Sequence, residues 1–269
     1  MSDTSFLWLE ITGKCQLECV HCYAESGPRG THGQMEQHDW ERVIDEASGM
    51  GVQAVEFIGG EPTLHPEFIP LVTHARNRDL LVSVYTNLVH VTEAQWSLFA
   101  DLDIRLATSY YSDDPGQHAE ITRRPSHRHT KSNIEEALKR EIPLRVGIVD
   151  LHDGQRVADA RRELTDMGVT RMKVDRLRGV GRGGPQRSRD VSQLCGGCTR
   201  SRAAISSTGD VWPCIFSRWL SVGNVLRDPL PEILAGPVMN KTTAELNAHF
   251  ASRRKNPTQG ENNEQPVNH

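Results

Sequence analysis

The sequence predicts an α/β fold: a partial (β/α)6 TIM-like barrel with a small C-terminal cysteine-containing module. Three observations predict it. Short β-branched or apolar runs alternate with longer amphipathic ones from residue 5 to about 178. That alternation supports a parallel sheet with right-handed crossovers. It stops near residue 180, short of the roughly 250 residues that a complete eight-unit barrel takes. Beyond it the composition turns Gly/Arg-rich and then cysteine-bearing.

The elements follow in order. SFLWLEIT (5–12) reads as the first strand, and Trp40, Val43, Ile44 and Ala47 lie at helical spacing within 36–50. VQAVEFI (52–58) is the second strand, ended by Gly59-Gly60, with a helix over about 66–78. LLVSVYTN (80–87) is the third strand and precedes a helix near 92–101. DIRLATSY (103–110) is the fourth. A polar loop rich in His and Arg then leads to a helix at about 130–140. LRVGIVD (144–150) and a helix near 155–167 come next. RMKVDRLR (171–178) is the sixth strand, with no helix after it.

GVGRGGPQRSRD (179–190) reads as a link. Residues 190–228 hold a hairpin in AISSTGDVWPCIF, turning at Gly209-Asp210. A modest helix is predicted over about 229–250. The division is thus 1–182 for the barrel, 183–250 for the module and 251–269 for a polar, disordered tail.

The totals narrow the function. A net charge of −4 over 269 residues offers no broad attraction for nucleic acid or membrane. No apolar run approaches the roughly 20 residues of a membrane helix. The N-terminus MSDTSFLWLEITGKC lacks a secretory pattern. A cytoplasmic location is expected. There the six cysteines, grouped as Cys15, Cys19, Cys22 and Cys195, Cys198, Cys214, read as metal ligands rather than disulfides.

Cys15-x3-Cys19-x2-Cys22 lies in the loop after strand one, at the sheet end where parallel α/β folds bind ligands. Thiolates suit zinc and iron–sulfur clusters. Three on a cubane leave one iron free for a cofactor or substrate. A zinc site takes a fourth protein ligand, which His21 or His32 would supply.

The stretch GKCQLECVHCYAES resembles the signature of the radical S-adenosylmethionine (SAM) superfamily, with the aromatic Tyr23 after the last cysteine. The resemblance implies that Cys15, Cys19 and Cys22 hold a 4Fe-4S cluster whose fourth iron chelates the amino and carboxylate groups of SAM. It implies reductive cleavage of SAM to methionine and a 5′-deoxyadenosyl radical, which abstracts hydrogen from a substrate. Gly59-Gly60-Glu61-Pro62 looks like the family's GGE motif for the SAM amino group; carbonyls and a carboxylate suit an ammonium. Asn87, in Tyr85-Thr86-Asn87, falls where relatives reach the ribose, or else caps a turn. Ser109 and Arg128 fall where relatives meet the SAM carboxylate, with Arg123 and Arg124 competing for the arginine's role. Val146-Gly147-Ile148-Val149 lines the adenine side or is simply core.

CTRSRAAISSTGDVWPC resembles the opening of the SPASM/twitch extension, which binds auxiliary iron–sulfur clusters, and Arg178-Gly179 and Gly181-Arg182-Gly183 resemble the link before it. Only three cysteines remain here, where a complete SPASM has seven and a twitch four. One auxiliary 4Fe-4S cluster is expected, with a fourth ligand from another side chain, an exogenous group or the substrate; a zinc knuckle is the alternative. With every cysteine a ligand, none is left to donate a hydrogen atom, which favours oxidative chemistry over epimerisation.

The resemblance implies oxidative modification, a cross-link or desaturation, of a ribosomally made peptide. The chain begins at the barrel, so a leader would be bound by the barrel mouth, an edge strand or a separate leader-binding protein. Flavodoxin or ferredoxin is the expected reductant. The alternatives are a radical dehydrogenase or epimerase of a small carbohydrate-like metabolite or peptide and, from a different class, a zinc-stabilised non-catalytic binding protein. No catalytic residue is named.

Overall fold

The computed structural model describes residues 4–184, 189–198 and 201–255. Six strands, β1 (Phe6–Thr12), β2 (Ala54–Gly59), β3 (Leu81–Tyr85), β4 (Arg105–Tyr110), β5 (Leu144–Asp150) and β6 (Met172–Arg176), pair in parallel, each with the next. Helices α1 (Gln37–Gly49), α2 (Phe68–Asn77), α3 (Glu93–Asp101), α5 (His127–Lys139) and α6 (Val157–Asp166) make the crossovers. All seven residues of β1 are buried, because both faces of a strand in this architecture are covered.

The pleat divides those faces. Leu7, Leu9 and Ile11 pack outward with Val55, Phe57, Trp40 and Ile44 in the main core. Phe6, Trp8 and Ile58 face the concave side with Ala204 and Trp212. Polar residues share that inner side. Trp8 Nε1 donates to Glu56 Oε2 at 3.1 Å, and Arg145 pairs with the other oxygen of Glu56 and lies over the Tyr85 ring. Buried at 2%, Glu56 would be costly without both partners.

The polar stretch before α5, expected as a loop, contains a further helix, α4 (Pro115–Thr122). Its start signals are in the sequence: Asp114 caps it, accepting from Gln117 N at 2.7 Å, and Pro115 opens it. It ends at Arg123, which adopts a left-handed φ of 59°. The predicted C-terminal helix is two, α7 (Leu230–Ala235) and α8 (Pro237–Lys255), parted at Gly236-Pro237. α8 takes in residues 251–255, the start of the predicted disordered tail, and the rest of that tail lies outside the described residues.

The hairpin consists of β7 (Arg202–Ser206) and β8 (Asp210–Trp212), followed by β9 (Gly223–Asn224). It does not stand off from the barrel. β7 pairs in parallel with the free edge of β1, Phe6 opposite Arg202 through Glu10 opposite Ser206. One nine-stranded sheet results, in the order β6-β5-β4-β3-β2-β1-β7-β8-β9.

Candidate iron–sulfur and cofactor site

The loops at the carboxyl ends of β1, β2 and β3 are fastened to one another. Gly60 N donates to Thr12 O at 2.7 Å and Glu61 N to Lys14 O at 2.8 Å. A Cβ on Gly60 would lie 2.2 Å from Lys14 O, so only glycine permits this approach of the β2 loop to the cysteine loop. The Glu61 side chain is fully buried. Its Oε1 accepts from Thr63 N and Thr63 Oγ1, and its Oε2 accepts from Asn87 N at 2.7 Å. Burial raises its pKa, and these donors partly oppose the shift. Both carboxylate oxygens are thus engaged within the chain. The Asn87 side chain reaches the cysteine loop, exchanging hydrogen bonds with Gln16 (3.0 and 3.2 Å) and donating to Cys15 Sγ at 3.6 Å.

Cys15 is buried, while Cys19 and Cys22 are half-buried. Desolvation pushes the Cys15 thiol up, and the neighbouring Glu61, Cys19 and Cys22 charges push it further. Cys19 is pushed up to about 12, again mainly by burial, with Arg182 opposing. Thiols so placed ionise on binding a metal, which deprotonates its ligands outright. The Arg182 guanidinium holds this loop from behind, donating to Cys19 O at 2.8 Å and Ser26 O at 2.7 Å. Gly181, at φ 55°, lies where a Cβ would meet Tyr23 O at 2.3 Å. The Gly/Arg link therefore packs directly on the cysteine loop, a role its sequence position did not disclose.

The His21 ring packs edge-on to Tyr111 at 5.1 Å. Burial pushes it down to about 4, leaving it neutral. His32 bonds Thr12 Oγ1 through Nδ1 at 3.0 Å and packs against His65. Among the described residues, the one set of three Cys, His or acidic ligand atoms lying within 4.8 Å of one another is Cys195, Cys198 and Cys214. The sulfurs of the first trio are not drawn together within that limit.

The second trio converges beside the hairpin, with Cys195 and Cys198 before β7 and Cys214 after β8. Cys198 and Cys214 are buried and Cys195 is exposed. The three sulfurs share hydrogen bonds in which Cys195 is the acceptor, so its pKa falls while those of Cys198 and Cys214 rise. One site that concentrates three thiols in this way fits a thiophilic metal centre. No fourth Cys, His or acidic ligand joins the set among the described residues.

The two cysteine groups meet through their neighbours. Tyr23, next to Cys22, packs edge-on against Phe216, two residues after Cys214, with ring centroids 5.4 Å apart. Arg218 pairs with Glu10 on β1 and stacks on Trp212 at 4.5 Å. Arg178 lies over Phe216 at 5.6 Å and pairs with Asp175 at 3.1 Å.

Ser109 is brought to the same concave side, its Oγ 2.9 Å from Tyr85 Oη, and Tyr111 reaches both Ser109 and Cys19. Arg128 is not brought in by any hydrogen bond or ion pair among the described residues. It is exposed on α5, whose buried face presents His127 and Thr130 instead, and Thr130 Oγ1 donates to Asn87 O at 3.0 Å.

Comparison with known proteins agrees with this geometry. The Radical SAM superfamily model matches residues 9–164, and SPASM, an iron-sulfur cluster-binding domain, matches residues 195–262. The chain is 36% identical over 104 residues to the mycofactocin maturase MftC of Mycobacterium tuberculosis, covering 39% of this chain and 25% of that protein. It is 33% identical over 93 residues to the PqqA peptide cyclase of Bradyrhizobium diazoefficiens, covering 35% of this chain and 24% of that one. The matched stretches thus span about a quarter of those relatives' own length. In fold it resembles Streptococcus suis SuiB bound to precursor peptide SuiA, with a TM-score of 0.75 at 16% identity over 91% of this chain and 67% of SuiB. The barrel, the three cysteines in the loop after β1 and the match over more than half of its length agree: the chain belongs to the Radical SAM superfamily, and its cofactors are SAM, the 4Fe-4S cluster that binds SAM and an auxiliary iron–sulfur cluster of its SPASM domain.

Proposed function

We propose that this protein is a peptide maturase that carries out an oxidative modification, a cross-link or a desaturation, on a ribosomally made peptide. In this reading Cys15, Cys19 and Cys22 hold the SAM-binding cluster, and Cys195, Cys198 and Cys214 hold the auxiliary one. The bound cluster and SAM together supply a one-electron cleavage of the sulfonium bond, yielding a carbon radical that abstracts hydrogen.

The chain's own residues position these groups. The Gly59 and Gly60 main chain would receive the SAM amino group, and Glu61 holds that loop and the Asn87 loop in place. Asn87 and Ser109 would offer polar contacts to the ribose and carboxylate, and Tyr23 and His21 hold the cysteine loop through their rings, against Phe216 and Tyr111. The observation that carries the oxidative reading is the use of the cysteines. All six fall into the two cysteine groups, so no thiol remains to return a hydrogen atom to a substrate radical. The direct Tyr23–Phe216 contact gives the surplus electron a short way from one cysteine group to the other. The peptide substrate is supported by the relatives that are peptide cyclases and maturases. No described helix is long and apolar enough to cross a membrane, and thiol-held clusters suit a reducing cytoplasm.

The test is anaerobic turnover with SAM, a reductant and candidate precursor peptides, followed by mass spectrometry. A product two hydrogens lighter, formed with 5′-deoxyadenosine, is the expected result. A product of unchanged mass with an inverted centre sinks the oxidative reading. Turnover of a carbohydrate-like alcohol in place of every peptide sinks the peptide reading.

A further inference from the structure

The motif RRPSHR was singled out in the sequence for the SAM carboxylate, and the structure gives its first two arginines a different setting. Arg123 and Arg124 form the turn between α4 and α5, and both are exposed. Neither has an ion-pair partner among the described residues, whereas arginines elsewhere do: Arg140 with Glu93 and Arg156 with Asp113. Arg123 holds the left-handed conformation, φ 59°, at a helix end where glycine or asparagine is the ordinary occupant. A residue with a Cβ is strained in that conformation.

The turn is held rigid around that residue. Thr122 Oγ1 donates to His118 O or Arg124 O, each 2.9 Å away, and Ser126 N donates to Arg124 O at 2.8 Å. Beside it lies a shallow groove of about 370 Å³, lined by Gly116, Ala119, Glu120, both arginines and Pro125.

The position of this turn gives it meaning. Glu18 N donates to Thr122 O at 3.1 Å and Val20 N to Ile121 O at 2.9 Å. The main chain between Cys15 and Cys22 is therefore laid directly against the residues that precede the two arginines. From Cys19 the path to this surface runs through one hydrogen-bonded main-chain step. The chain as a whole carries −4. The cysteine loop and this turn, residues 13–30 and 120–128, nevertheless present five exposed cations against three exposed carboxylates, Glu18, Glu25 and Glu120.

We propose that the Arg123–Arg124 turn is the landing site of an acidic one-electron carrier protein, which delivers its electron across the Thr122–Glu18 and Ile121–Val20 contacts. The proposal rests on the reading that Cys15, Cys19 and Cys22 hold the SAM-binding cluster. The step moves one electron and no atoms: the carrier's reduced flavin or iron–sulfur centre is oxidised by one electron, and the cluster is reduced by one. A basic surface selects an acidic partner and speeds encounter, an effect that salt screens.

The experiment mixes holoenzyme with flavodoxin hydroquinone in an anaerobic stopped-flow instrument and follows formation of the flavin semiquinone. The variant R123N/R124Q removes two charges and places asparagine, which tolerates the left-handed region, at position 123. Its reduction by flavodoxin is expected to be about tenfold slower at low ionic strength, with the gap closing toward about 0.5 M salt. Reduction by dithionite, a small anion that needs no docking surface, stays at the wild-type rate. R124E, which leaves Arg123 untouched, is expected to be slowed as well. R227E, after β9 at the far end of the sheet, is expected to match wild type.

Wild-type rates with flavodoxin for R123N/R124Q and R124E overturn the proposal. So does an equal loss with flavodoxin and dithionite, which places the effect in the cluster rather than in docking. If dithionite fails to reduce the wild-type protein and no 5′-deoxyadenosine forms, the cluster assignment itself falls, a separate outcome.

Discussion

The amide of Asn87 donates to Glu61 Oε2 at 2.7 Å, so the carboxylate following β2 anchors the loop following β3. Glu61 also takes both donors of Thr63, and through its own amide it holds Lys14 O of the cysteine loop. One residue, through its buried side chain and its amide, thus ties three strand ends into a single rim. Glu61→Ala leaves three donors without their acceptor in a buried setting. A loss of about 2–4 kcal/mol is expected in denaturant unfolding of the protein. Glu61→Gln keeps the shape and loses about half as much, since one of its two terminal atoms then opposes a donor with a donor. Equal stability of Glu61→Ala and wild type would contradict the anchoring role.

The two cysteine groups are separable by mutation. Cys19→Ala is expected to remove the SAM-binding cluster, abolish 5′-deoxyadenosine formation and leave the auxiliary iron in place. Cys214→Ala is expected to do the reverse, with SAM cleavage persisting while the modified product disappears. Iron and sulfide analysis with electron paramagnetic resonance checks both. Loss of all iron from either variant alone would show one shared centre.

Arg218 is the counter-charge for Glu10, whose side chain is 4% exposed. Arg218→Ala leaves that carboxylate buried with its partner gone. Solvent reaches about a third of Arg218, so the expected cost is about 1–3 kcal/mol rather than the full penalty of a wholly buried pair. The double variant Glu10→Gln with Arg218→Ala is expected to recover part of it. A double variant no more stable than Arg218→Ala alone would deny the coupling.

His118 is 1% exposed, with Nδ1 unpartnered, and burial pushes its pKa down from 6.5 to about 4. The unfolded chain binds a proton in that interval and the folded one does not. Stability is therefore full above pH 6.5 and falls as the pH drops from 6.5 toward 4, by on the order of 3 kcal/mol for this group. His65, also pushed down to about 4, adds in the same direction. Urea unfolding between pH 7.5 and 4.5 measures the slope. His118→Asn is expected to flatten it, and an unchanged slope would remove His118 from the account.

Six barrel strands and the cysteine spacing were legible because each is written locally. VQAVEFI and LRVGIVD are compact β-branched runs, and β5 begins and ends where its sequence does. The α4 helix was hidden because its apolar face is thin; its buried residues are His118, Ile121 and Thr122, and the first and last do not signal a core. Arg128 was assigned from its place in a motif, but its exposure depends on helical phase. α5 starts at His127, three residues before the predicted start, and that phase buries His127 and Thr130 instead. The Glu61–Asn87 and Arg182–Cys19 contacts join residues 26 and 163 positions apart, and no local pattern encodes them.

Ser5 and Ser201 meet across 196 positions of chain, where β7 comes to lie along β1. As the ribosome releases the polypeptide, β1 must wait for β7, made much later, before that flank is covered. Until then it offers a bare row of amides and carbonyls to any passing chain. The cysteine-bearing segment is therefore also the cover of the β1 edge. A fragment cut off before β7 would keep every SAM-side cysteine and still be prone to stick to its own copies.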